Sequence, residues 1–195
     1  MANRSDNFNR ANDSGSIGTP SDGGSVWTVS AGTWGITSNT IYRSAGSGYS
    51  VAYLDAGVST GVVSAKFTSL ASSGIAMRIV DGSNFVWLQL TGGLAYLWKR
   101  VSGSFTQLGS TFSGGFTTND VFSLEVDASG NWIAKKNGTS IITATDNVHS
   151  TATGVGFAWE SNSATWDDFS FTEAGGGGGS SIAAISNYHR MLRSA

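Results

Sequence analysis

Short two-residue turns of the kind that join antiparallel strands punctuate this chain. Gly92-Gly93, Ser102-Gly103 and Asn137-Gly138 each separate two runs of alternating apolar and polar residues. Gly and Asn favour such turns because they tolerate the positive φ that a tight hairpin requires. The same reading predicts strands over 25–30, 33–38, 40–44, 50–55, 62–68, 74–80 and 84–91. It continues with 94–101, 104–109, 120–127, 131–136, 139–145, 154–160 and 165–173. Almost nothing before Gly175 carries a helical period. Strands this short, numerous and evenly spaced predict an all-β chain folded as a two-sheet antiparallel jelly-roll sandwich.

Composition excludes the competing classes. Gly, Ser and Thr supply 77 of the 195 residues, and charged residues only 12%, against roughly 25% in an ordinary soluble domain. A helical bundle needs far more Ala, Glu, Lys and Leu. Disorder is excluded by 7 Trp, 10 Phe and 5 Tyr, which supply ample surface to bury. No apolar run approaches the ~18 residues of a membrane span, so no membrane insertion is expected. A formal charge of -2 without a basic cluster gives no footprint for nucleic acid. The absence of Cys removes disulfides and thiolate chemistry.

Domain organisation follows from one composition shift. Residues 1–174 form the predicted jelly-roll domain, and five glycines at 175–179 with Ser180 and Ser181 form a flexible linker over 175–181. Beyond it, Ile182, Ile185, Tyr188 and Leu192 recur at helical spacing, with Met191 beside them. Such a segment is too short to be a stable helix alone. Residues 182–195 are therefore expected to be a C-terminal docking peptide that orders against a partner, with a frayed tail as the alternative.

The turns also fix a register. With Gly92-Gly93 and Ser102-Gly103 as two-residue loops, Gln89 pairs with Tyr96, Trp87 with Trp98, Arg100 with Phe105 and Trp98 with Gln107. Period-two alternation then puts Leu88, Leu90, Ala95, Leu97 and Leu108 on one face. The other face carries Trp87, Gln89, Tyr96, Trp98, Arg100 and Gln107, and pairing Val80 with Phe85 would add Arg78 opposite Trp87. The aliphatic face belongs between the sheets. The aromatic and polar face suits a carbohydrate, with flat rings for sugar CH groups and Arg, Gln and Asn for hydroxyls. The alternative is that these rings are covered by the chain's own loops or by an assembly partner.

The stretch 77–90, from Met77 through Phe85 and Trp87 to Leu90, followed by 94–100, resembles the central strands of concanavalin A-like (laminin-G-like) jelly rolls. Residues 122–127, 130–133 and the Asn137-Gly138 hairpin are similar to the strands that follow in that family. Segments 154–157 and 166–171 resemble its last two strands, and 6–10 its first, which lies beside the last. The resemblance spans roughly 6–173. It implies two antiparallel sheets, frequent glycan or protein recognition, and glycosidase activity in a minority of members. Laminarinase-type hydrolases of this fold carry three alternating acids on one strand; here Glu125 and Asp127 would be two of them and Ser129 or Gly130 stands at the third. No Ser-His-Asp arrangement offers itself either, with His149 in a polar loop and His189 near the C-terminus. The expectation is a protein without catalytic residues and without an organic cofactor. Many relatives hold a structural Ca²⁺ where first and last strands meet, through hard oxygen ligands, and Asp6 and Asp168 are the matching candidates.

Residues 1–6 show no apolar segment of a secretory signal, whereas domains of this kind usually act outside cells. A bacteriophage virion protein reconciles the two, and a jelly roll with a poly-Gly tether and a short apolar end resembles small phage appendage or decoration proteins. The leading expectation is a non-enzymatic virion structural protein, tail-associated or capsid-decorating and present in multiple copies. Residues 182–195 would anchor it to other virion proteins, while the jelly roll touches host-surface carbohydrate. A free carbohydrate-binding lectin is the alternative, and a glycoside hydrolase a third reading.

Overall fold

A computed structural model describes residues 3–69, 71–161 and 164–174. The predicted linker and the docking segment, with Ile182, Ile185, Tyr188, Met191 and Leu192, lie outside the described residues. Among those described there is no helix, and fifteen strands form two antiparallel sheets. They are β1 (Arg4–Asp6), β2 (Thr28–Val29), β3 (Thr33–Thr37), β4 (Thr40–Ala45), β5 (Ser50–Asp55), β6 (Gly61–Ser69), β7 (Ser73–Asp81) and β8 (Asn84–Thr91). Then follow β9 (Leu94–Val101), β10 (Ser104–Phe112), β11 (Val121–Val126), β12 (Asn131–Lys136), β13 (Thr139–Thr145), β14 (Gly154–Trp159) and β15 (Thr165–Glu173).

The eight-stranded sheet runs β13-β12-β11-β6-β15-β4-β3, with β1 also paired to β15; the seven-stranded sheet runs β10-β9-β8-β7-β14-β5-β2. First and last strands are neighbours, Arg4 opposite Phe171 and Asp6 opposite Phe169. Three expected strands move by more than one residue at an end, among them 104–109, which extends to Phe112. The first strand ends at Asp6, where 6–10 was predicted, and the run 25–30 contributes only Thr28–Val29.

Inward-facing residues of both sheets form one core, including Leu88, Leu90, Leu97, Val63, Leu124 and Trp132. Each such side chain contributes about 1.5–3 kcal/mol on burial. Phe157 is its aromatic centre, with Trp159 and Phe169 each at 5.4 Å and Trp27 at 6.0 Å. One side of the sandwich closes where β10 lies against β13. The other is covered by residues 8–27, which insert Phe8 and Ile17 into the core. That segment is pinned to β3 by a reciprocal bridge, Asp13 N to Ile36 O at 3.0 Å and Ile36 N to Asp13 O at 2.8 Å.

The hairpin register is as expected through β8, β9 and β10: Trp87 faces Trp98, Gln89 faces Tyr96, and Gln107 faces Trp98. Arg78 departs from it. Trp87 pairs with Ala76, and the ladder shifts between Met77 and Asp81. On the other side Val155 pairs with Met77 and Gly154 with Ile79, so Arg78 is the extra residue of a bulge, at φ 50. A bulge re-aims the side chain it carries. Ile79 takes the outer position, and Arg78 turns inward.

Candidate functional site

The outer face of the seven-stranded sheet carries the aromatic set. Across the strands one row reads Gln107, Trp98, Trp87, Ala76, Gly156 and Tyr53. The next reads Tyr96, Gln89, Gly74, Ala158 and Val51. Small residues on β7 and β14 thus form the floor, and large rings stand on β8, β9 and β10. A second apolar cluster results: Val51, Ala76, Ile79, Phe85, Trp87 and Ala158, with Tyr49, Tyr53, Trp98 and Phe105 packed on it.

A connected chain of hydrogen bonds crosses this face. Trp98 Nε1 donates to Gln89 Oε1 at 2.8 Å, and Gln89 Nε2 donates to Ser72 Oγ at 2.7 Å and Glu160 Oε2 at 3.2 Å. Ser72 Oγ donates to Glu160 Oε2 at 2.7 Å, and Tyr49 OH to Glu160 Oε1 at 3.1 Å. Beside the chain, Tyr96 and Trp98 stack at 5.6 Å with 21° between their planes. Both rings are half-buried and so present part of their surface to solvent. Burial, reinforced by the hydrogen bond to Glu160, pushes the Tyr49 phenol up.

The expected platform residues divide. Gln89, Tyr96 and Trp98 come together as one polar and aromatic group. Trp87 is on the expected face but only 1% exposed, covered by Tyr49 and Phe105 at 6.0 and 6.1 Å. Covering by the chain's own loop therefore accounts for this ring. Arg100 lies among Tyr49, Phe105 and Phe85 at 4.8, 5.0 and 5.8 Å, and its Nε donates to Gly103 O at 3.2 Å. Burial lowers its guanidinium pKa. Gln107 bends back on its own strand, donating to Gly109 O and Thr111 Oγ1. Arg78 is not on this face: its buried guanidinium donates to Ser59 O, Val148 O and Asp127 O at 3.2–3.3 Å. Tyr49, Ser72, Phe105 and Glu160 complete the site. Of these, only Phe105 was within reach of sequence reasoning, through its pairing with Arg100.

Asp6 and Asp168 do not make a cation site. Asp6 is 1% exposed, and its two oxygens accept from Arg10 Nη1 and Nη2 at 2.9 and 2.6 Å. Trp27 Nε1 at 2.8 Å and Phe8 N at 3.0 Å take the remaining acceptor positions. Asp168 turns outward at φ 50 and, with Asp167, holds Lys66 Nζ at 2.6 and 2.8 Å. Carboxylates already neutralised by cations do not supply the negative oxygen cage that Ca²⁺ takes. No group of three or more metal-ligating side chains occurs among the described residues.

Glu125 and Asp127 sit on or after β11, in the other sheet. Glu125 Oε2 pairs with Lys135 Nζ at 2.9 Å, and Asp127 caps the following turn, accepting from Ser129 N and Asn131 N at 2.9 Å. Glycoside hydrolysis needs an acid and a base facing one another across a bound sugar. These two carboxylates are committed to a surface ion pair and a turn.

No protein-family model matches the chain, and no curated protein sequence matches it. Solved structures share its fold. The carbohydrate-binding module CBM66 of Bacillus subtilis is 17% identical with a TM-score of 0.57, covering 75% of this chain and 92% of its own. A Bacillus licheniformis β-glucanase is 12% identical at 0.57, covering 89% and 99%. The carbohydrate recognition domain of Emp47p is 8% identical at 0.55, covering 89% and 95%. The chain therefore shares the two-sheet antiparallel jelly-roll sandwich fold of these domains.

Proposed function

We propose that this chain is a non-catalytic carbohydrate-binding module whose ligand lies on the outer face of the seven-stranded sheet. The observation that carries the reading is the prearranged chain Trp98–Gln89–Ser72–Glu160 beside two partly exposed stacked rings. Aromatic surface receives the CH face of a sugar, and fixed donors and acceptors receive its hydroxyls, the division of labour usual in small-ligand sites. The shared fold with CBM66 and the Emp47p domain supports the reading. Titration of intrinsic Trp fluorescence with soluble polysaccharides tests it. Trp98→Ala is expected to weaken binding at least tenfold; equal binding by wild type and variant, or none by either, sinks it.

The same proposal extends to attachment. Ala174 is exposed where the chain leaves β15, so a following tether starts at the surface. Residues 182–195 then anchor the domain through Ile182, Ile185, Tyr188, Met191 and Leu192 to other proteins of a multi-copy assembly, a virion in the reading favoured by the sequence. Deleting 180–195 is expected to abolish incorporation into particles while the domain stays folded. Normal incorporation of the truncated chain removes this part of the proposal.

A further inference from the structure

Tyr49 reaches the aromatic face from outside it in sequence and sheet order. It immediately precedes β5, whereas Phe105, 4.7 Å from its ring, belongs to β10. Those strands stand five places apart in the sheet. The ring therefore lies across the face, where Arg100 stacks at 4.8 Å and Trp87 packs at 6.0 Å. Its tether is the 3.1 Å hydrogen bond to Glu160. Trp87 retains a buried Nε1 with no hydrogen-bond partner. The indole N–H edge lies over the glycine floor, since a Cβ on Gly74 would come within 3.0 Å of Nε1. A buried donor left unpaired is costly and rare.

We infer that Tyr49 is a displaceable occupant of a sugar subsite, filling in the free protein the place of one pyranose ring of a neutral glycan. The inference rests on the carbohydrate-binding reading and names the class of sugar. A planar phenol and a chair-shaped pyranose are six-membered bodies of similar size, each with an apolar face and an edge hydroxyl. A sugar in this place packs against Phe105, where the Tyr49 ring now lies tilted by 55°, and gives a hydroxyl to Glu160, as Tyr49 now does. It also offers what the phenol ring does not, an acceptor for Trp87 Nε1. Arg100 stays in place when Tyr49 leaves, because Gly103 O and Gly82 O hold its guanidinium.

Displacement needs only rotation of the Tyr49 side chain. The backbone on either side is fixed, with Gly48 O accepting from Arg43 Nη1 at 2.6 Å and Ser50 paired with Trp159. The Glu160 carboxylate selects charge. Released from Tyr49, it accepts hydroxyls and repels uronates and sialates, and Arg100 is already committed to carbonyls and rings.

A binding site closed most of the time has its affinity reduced by the fraction open, so loosening Tyr49 tightens binding. Tyr49→Phe keeps the ring and the fold but removes the Glu160 tether. It is expected to raise affinity for a neutral polysaccharide about threefold to tenfold, and Tyr49→Ala at least as much. Affinity is read by titrating the full chain with β-glucan, mannan, galactan and fructan, with polygalacturonate as the anionic arm. Acrylamide quenching of Trp emission is expected to rise in Tyr49→Ala, and the rise to vanish when Trp87→Phe is added. If glycan binds the wild type and is lost in Trp98→Ala, yet both Tyr49 variants bind equally or more weakly, the subsite is overturned while the binding face stands. Preference for polygalacturonate overturns the neutral-sugar assignment. Absence of binding by every protein overturns the face and the subsite together.

Discussion

The Arg78 guanidinium stacks 5.1 Å from the Trp132 ring, joining the bulge of β7 in one sheet to β12 in the other. Both side chains are essentially buried. A buried Arg is tolerated only when paired and hydrogen-bonded. Here three backbone carbonyls from three separate segments accept from it, with the ring contact in addition.

Arg78→Ala should therefore leave three carbonyls without their donor and a cavity beside Trp132. Loss of such a buried network costs about 2–4 kcal/mol. The lowered denaturation midpoint in urea measures it. Glycan affinity at folded concentrations should stay as in the wild type, because the side chain is absent from the outer face.

Acid should weaken the domain in part through Asp120. Burial pushes its carboxyl up, but the Thr117 N–H, the Asn137 amide and Lys136 outweigh burial and bring the pKa below its ordinary 3.8. A carboxylate with a depressed folded pKa stabilises fully above its unfolded value and loses that contribution as pH falls through the folded one. Wild-type stability should thus drop below about pH 4. Asp120→Asn should be less stable by about 1–2 kcal/mol at pH 7 and nearly indistinguishable from wild type near pH 2, as read by urea titrations at the two pH values.

Gly74 has no room for a side chain. A Cβ there would collide with the Leu88 carbonyl oxygen on the paired strand and crowd the Trp87 indole. Gly74→Ala should cost about 1–3 kcal/mol through overpacking. Thermal unfolding compared with Ala substitution at exposed Gly15, which has no positive φ and whose Cβ would meet only Asp13 Oδ1 at 3.6 Å, separates this clash from the general effect of replacing a glycine.

Glu125→Gln should be almost silent. Its ion pair with Lys135 is about one-third exposed on each side, and such surface pairs are worth about 0–1 kcal/mol. Unchanged polysaccharide binding and a midpoint shift within that range are the expected outcome. A large loss of either would mean the outer face of the eight-stranded sheet has a role beyond solvation.

The hairpins from β8 to β10 were legible because each turn is two residues long, so one decision at Gly92-Gly93 or Ser102-Gly103 fixes every partner across the ladder. The same reasoning failed at Arg78, where one inserted residue flips the face and no Gly or Pro marks the bulge. Tyr49 was illegible for a different reason. Its partners Phe105 and Glu160 lie 56 and 111 residues away, and nothing local says that a residue before β5 will cross to β10. Asp6 was misread although its partner was near. Arg10, four residues on, neutralises it, and an acid followed so closely by a base is a poor choice of metal ligand.

The pairing of β1 with β15 places residue 4 beside residue 171, so the two ends of the sandwich emerge together from one pole. A host protein could therefore carry the whole domain spliced into a single surface loop, held at two adjacent points. The outer ends of β1 and β15 could equally be joined to each other and the chain reopened at the Asn137-Gly138 hairpin. Such a permuted chain keeps every strand pairing while shifting its fusion points to a different part of the surface.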